Sequence, residues 1–84
     1  KTKLWYIRDR ERREVDFLVT WGEAPWFLVE CKLKKEHSQA LTYFGDRLKI
    51  TQKYLVTLDN KFHYLDKKTG IHVIPAAIFL NALV

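Results

Sequence analysis

The sequence predicts an α/β domain, a mixed β-sheet flanked by helices. Three observations point there. Runs rich in branched and aromatic residues recur along the chain, each bounded by charged or turn-forming residues. Between the third and fourth runs, Leu41, Phe44 and Leu48 fall at helical spacing. A helix joining two apolar strands implies a crossover, with the fourth strand parallel to the third.

The elements follow in order. Leu4 to Arg8 is a first strand. Asp9 to Arg13 is a charged turn, read either as a solvated hairpin tip or as a phosphate-touching loop whose Arg12 and Arg13 balance nearby acids. Arg13 to Thr20 and Pro25 to Lys32 pair around Gly22, so strands one to three form an antiparallel meander. Val15, Phe17 and Val19 on one side, with Leu18 and Leu28 on the other, make the sheet apolar on both faces and therefore covered on both. Trp21 and Trp26 flank the turn, with packing as the default and an assembly surface as the alternative. Ser38 is the expected N-cap of the crossover helix. Gly45 inside that helix costs about 1 kcal/mol relative to Ala, which signals a close approach. Lys53 to Leu58 is a strong strand, Phe62 to Leu65 a short edge strand or an irregular segment, and Ile71 to Ile74 a strand stopped by Pro75. Ala76 to Leu83 forms a last helix that docks through Ile78, Phe79 and Leu83.

Residues 1–84 make one small domain. The chain lacks an initiator Met and begins at a strand approach, so we expect a fragment of a longer protein. With 48% hydrophobic and 30% charged residues, the composition is neither disordered nor fibrous. A net charge of +5 fits a phosphate-bearing partner and equally an ordinary basic surface. One cysteine, Cys31, cannot form an internal disulfide, which agrees with a cytoplasmic location; within its apolar strand it reads as a buried structural thiol. No run approaches the roughly 20 apolar residues of a membrane span, so no membrane partner is expected. The chain holds no HExxH, CxxC, zinc-finger or glycine-rich phosphate motif.

Charge inside strong strand patterns is costly unless paired, exposed or bound to a metal. Glu14 and Asp16 stand in the second strand, Glu30 and Lys32 in the third, all at one edge. Alternation puts Glu14, Asp16 and Leu18 on one face, and Leu28, Glu30 and Lys32 on one face. These groups converge only if Asp16 lies opposite Glu30 or two residues away; a slip by one separates them. An odd loop, such as Gly22-Glu23-Ala24, gives the convergent register, whereas a plain two-residue turn does not. In the convergent register Asp16 and Glu30 can hold Mg²⁺ or Mn²⁺, with the Cys31 backbone carbonyl as a further ligand. Lys32 would then sit beside an attacking water, and Glu14 behind the metal ligands.

These residues carry a resemblance. Glu14-Val15-Asp16 followed by Val29-Glu30-Cys31-Lys32 resembles the signature of the PD-(D/E)xK nuclease superfamily, which includes restriction endonucleases and archaeal Holliday-junction resolvases. Together with Thr69-Gly70-Ile71-His72-Val73-Ile74-Pro75, the chain looks like the nuclease-like domain at the C-terminus of bacterial and archaeal AAA+ ATPases of unknown function. The resemblance implies a restriction-endonuclease-like sheet without the first helix of the usual core. It implies a Mg²⁺-dependent DNA endonuclease with Asp16, Glu30 and Lys32 as its catalytic centre, assisted by Gln39 early in the helix. Arg12, Arg13, Lys34 and Lys35 would meet DNA. An AAA+ ATPase domain in the parent chain and a homodimer are the partners it implies. Val15 stands where the superfamily usually has Pro.

Two other readings stay open. The domain could be a catalytically inactive nuclease-fold module that binds DNA or a protein partner for a linked ATPase. The charged residues could instead be a salt-bridge network at a sheet edge, since sheets place opposite charges across strands.

Overall fold

The computed structural model describes residues 1–33 and 38–82. Its elements are β1 (Thr2–Arg8), β2 (Glu14–Trp21), β3 (Ala24–Lys32), α1 (Gln39–Leu48), β4 (Gln52–Thr57), β5 (Tyr64–Asp66), β6 (Ile71–Pro75) and α2 (Ala76–Ala82). The strands form one mixed sheet in the order β1-β2-β3-β4-β6-β5. β1, β2 and β3 make the antiparallel meander; β4 joins β3 in parallel through the α1 crossover, and β6 joins β4 in parallel. β5 closes the far edge as a short antiparallel strand.

The β2–β3 hairpin reaches the convergent register by a route other than the odd loop expected. Trp21 pairs with Ala24 across the two-residue turn Gly22-Glu23, with Gly22 at φ +62°, a conformation glycine adopts freely. That turn alone would put Asp16 out of phase with Glu30. Trp26 then bulges out of β3, because Thr20 pairs with Pro25 while Val19 pairs with Phe27. Pro25 has no N–H to give the ladder, and a bulge accommodates that loss. Beyond it Leu18 pairs with Leu28 and Phe17 with Val29, the frame in which Asp16 comes level with Glu30.

A second irregularity changes which side chains face inward. Leu18 pairs with Trp5, yet Val15 pairs with Ile7, so three steps along β2 match two along β1. The alternation slips there. Val15 is fully buried with Leu28 and Leu41 beneath α1, on the face that Leu18 shares, and not beside Phe17 and Val19 as simple alternation predicts.

α1 lies over β2, β3 and β4, burying Leu41 and Phe44 against Val15, Leu28 and Leu55. Ser38 caps it, its Oγ accepting from the Leu41 N–H at 3.2 Å. Lys49 ends it in the left-handed region. α2 lies on the opposite face, where Ala76 and Phe79 pack near Val56 and Ile74. Phe79 docks as expected, but Ile78 is 43% exposed, because only positions three or four apart share the sheet-facing side. Leu83 lies outside the described residues. α2 packs on β4 and β6, and Phe27 and Val29 of β3 are buried beside Val56 and Ile74, but among the described residues Leu4 of β1 and Phe17 of β2 stay exposed on this face, contrary to the expected covering. Leu4, Phe17 and Trp26 border an apolar groove of about 540 Å³ there. Among the described residues no helix is long and apolar enough to cross a membrane.

Gly45 is where the close approach occurs. The buried Lys53 stem crosses it, with Nζ donating to the Thr69 carbonyl at 2.6 Å. A Cβ at position 45 would stand 2.6 Å from Lys53 Cδ and 3.2 Å from the Ile50 carbonyl oxygen. Gly45→Ala should therefore destabilise the domain, although helix propensity alone favours Ala by about 1 kcal/mol. Overpacking of about 1–3 kcal/mol outweighs that gain. Urea denaturation should show a net loss of about 1 kcal/mol; an increase in stability would mean that the Lys53 stem moves aside freely.

Candidate active site

The edge where β2 begins and β3 ends carries a depression of about 550 Å³, lined by Arg12, Arg13, Glu14, Asp16, Glu30, Cys31, Lys32, Ser38, Gln39 and Ala40. The β1–β2 turn, two bulged strands and the start of α1 supply these residues. Asp16 lies just past the last β2–β3 pair, and its Oδ2 accepts from the Cys31 N–H at 2.7 Å. A side chain thus holds a β3 amide that strand pairing leaves free. Glu30 is buried at 7% exposure. Its Oε2 lies 3.1 Å from Lys32 Nζ, and its Oε1 accepts from the Ser38 hydroxyl. The carboxylate is therefore met at both oxygens, as burial demands.

The other expected residues divide. Gln39, the first residue of α1, is exposed and borders this depression. It also borders a neighbouring cleft of about 460 Å³ whose walls include Tyr43, Tyr64 and Asp66. Glu14 lines the depression, but its carboxylate accepts from the Tyr6 hydroxyl across β1. Arg13 is tied down: Nε lies 2.7 Å from Asp9 Oδ2, Nη2 3.0 Å from Glu11 Oε2, and the guanidinium 3.5 Å from the Tyr43 ring centroid. Arg12 is exposed at φ +64°, at the turn that Asp9 closes. Lys34 and Lys35 lie outside the described residues.

The local pattern marks Ser38 as a cap alone and gives no role at this site to Tyr6 or Tyr43. The signal for Ser38 was available: a helix cap that follows a charged strand end within a few residues returns close to that strand. Nothing in the local pattern ties Tyr6 to Glu14 or Tyr43 to Arg13. Asp59 is another carboxylate near this end of the sheet, following β4. Its Oδ1 is buried with no hydrogen-bond partner among the described residues, but it does not line the depression.

Electrostatics follow the contacts. Burial pushes the Asp9 carboxyl up, but the Arg13 guanidinium and the Arg13 and Glu11 amides outweigh it and hold the group below its ordinary value. The hydrogen bond to Glu14 raises the Tyr6 phenol. Cys31 differs from expectation, being exposed rather than buried: it lies at the end of β3 beyond the buried Val29, on the groove that the exposed Phe17 also borders. Partial burial of its sulfur raises the thiol's pKa, and the charges of Asp16 and Glu30 raise it further.

The donor chemistry suits a hard cation. Among the described residues no group of three or more His, Cys, Asp or Glu is placed to hold a metal ion. A cation at this depression would rest on two carboxylates, backbone oxygen and water, the ligation typical of Mg²⁺ and unlike a structural zinc site.

Fold and site together define a small mixed α/β domain with a buried acid, a second acid and a lysine gathered at one sheet edge. Residues 1–79 match the domain of unknown function DUF4143, and the chain belongs to that family. No curated protein and no solved structure matches it.

Cys31 reports on the cluster directly. If Asp16 and Glu30 hold its thiol protonated, Asp16→Asn and Glu30→Gln should each speed alkylation by iodoacetamide severalfold at pH 8, read by intact-mass spectrometry. Unchanged rates in both variants would mean that burial, and not the two carboxylates, holds the thiol protonated.

Proposed function

We propose that this domain is a metal-dependent nuclease module with a restriction-endonuclease-like core, hydrolysing phosphodiester bonds in DNA. The observation that carries the reading is the meeting of Asp16, Glu30 and Lys32 on one depression. The antiparallel meander, the crossover helix and the parallel fourth strand support the same core.

Asp16 and Glu30 would hold Mg²⁺ or Mn²⁺, with the Cys31 carbonyl as a further oxygen donor. The bound ion supplies Lewis acidity toward the phosphoryl group and the water. Lys32, with a side chain 32% exposed, keeps its ammonium within reach of both Glu30 and the open depression. It orients the attacking water and stabilises negative charge on the phosphate. Gln39 donates to the substrate from the rim. Arg12, Arg13, Lys34 and Lys35 stand as contacts to the DNA backbone, of which Arg13 is the least free because Asp9 and Glu11 already hold it. Glu14, anchored by Tyr6, adds negative charge behind the ligands. The resemblance supports an AAA+ domain in the same parent chain and a homodimer, and the single cysteine agrees with a cytoplasmic setting.

One observation favours a second reading, an inactive module that binds DNA or a protein partner. Glu30 is already satisfied by Lys32 and Ser38 without any cation.

Calorimetry with Mn²⁺ separates the two. Wild type should bind the ion, and Asp16→Asn should bind it more than about tenfold more weakly. Lys32→Ala should retain binding and lose cleavage of branched or linear DNA by about 10²-fold or more. Failure of wild type to bind Mn²⁺ sinks the nuclease reading. Salt-dependent DNA affinity without cleavage would establish the inactive module.

A further inference from the structure

The Ser38 hydroxyl makes two hydrogen bonds in opposite senses. It accepts from the Leu41 N–H at 3.2 Å and donates to Glu30 Oε1. A hydroxyl has one proton, and the helix amide fills an acceptor position, so that proton goes to the carboxylate. Ser38 and Glu30 are both buried, at 8% and 7% exposure. Lys32, on the other carboxylate oxygen, has a side chain that is 32% exposed. Glu30 thus has one fixed partner and one that opens to solvent.

We propose that Ser38 is a positioning residue for Glu30. It locks Oε1 to the first turn of α1, so that Oε2 alone is offered to the depression, where Lys32 holds it in the absence of a cation. The inference rests on the nuclease reading of Asp16, Glu30 and Lys32, and it extends that reading to a residue whose known work is capping a helix. The docking of α1, through Leu41 and Phe44, becomes what orients the acid. Partners of this kind typically set metal affinity by about 10–100-fold without touching the ion.

Three substitutions in the whole chain separate capping from positioning. Ser38→Thr keeps the cap and the donor. Ser38→Asp keeps a good cap but cannot donate when ionised. Ser38→Gly is nearly as good a cap and has no hydroxyl. The first readout is the Glu30 side-chain ¹³Cδ resonance, recorded without metal. It should match wild type in Ser38→Thr and move in Ser38→Asp and Ser38→Gly, while the amide signals of α1 stay in place. A Glu30 resonance unmoved in both Ser38→Asp and Ser38→Gly would leave Ser38 a cap only and overturn the proposal. The second readout is Mn²⁺ affinity by calorimetry, expected to fall about tenfold in Ser38→Gly and to be retained in Ser38→Thr. Wild-type affinity in Ser38→Gly would also overturn it. Should wild type itself fail to bind Mn²⁺, the nuclease reading falls, and the ¹³Cδ shift still decides whether Ser38 positions Glu30.

Discussion

A carboxylate at 7% exposure is the constraint around which this domain is arranged. Burial of an ionised acid is tolerated only when donors meet its oxygens. Glu30 has Lys32 two residues along its own strand and Ser38 at the start of α1. One partner comes with the β-strand period; the other arrives only when the crossover helix docks. Secondary structure, helix packing and the charged cluster are therefore coupled at a single side chain. Asp16 extends the coupling to β2 by holding the Cys31 amide beyond the end of regular pairing.

Much of the architecture was legible because each element has a local cause. Branched and aromatic runs gave the strands, the spacing of Leu41, Phe44 and Leu48 gave α1, and Ser38 gave its start. The crossover to a parallel β4 followed from placing a helix between two apolar strands. The candidate site was legible as a condition, since Asp16 and Glu30 meet in one register and part in the other. What satisfied the condition was hidden. Two bulges, one at Trp26 and one in β2 opposite β1, are properties of paired strands, and a single strand does not record them. The second bulge moved Val15 into the core, which period-two counting assigns to the opposite face.

The partnerships of charged side chains were legible least. Arg13 and Arg12 are neighbours of the same type, yet Arg13 is bound by Asp9, Glu11 and Tyr43 while Arg12 is exposed. A turn places its side chains by backbone conformation, and the left-handed residue Arg12 sets that here. The same holds for Glu14 and Tyr6, whose contact depends on the β1–β2 register. Cys31 differs for a related reason: an apolar strand is buried on both faces only where both faces are covered, and on this face the cover reaches Phe27 and Val29 of β3 but not Cys31 at its end.

The bulge at Trp26 has a consequence for how such a domain can change over time. Most surface hairpins tolerate the gain or loss of a single residue, since loops adjust at small cost. In this hairpin, length carries parity. Removing the residue that bulges would leave a two-residue turn and strands still apolar and still able to pair, with Asp16 shifted by one residue out of line with Glu30. Such a lineage would keep the fold and lose the meeting of its acids in one step. Changes of length here are neutral to the site only in compensating pairs.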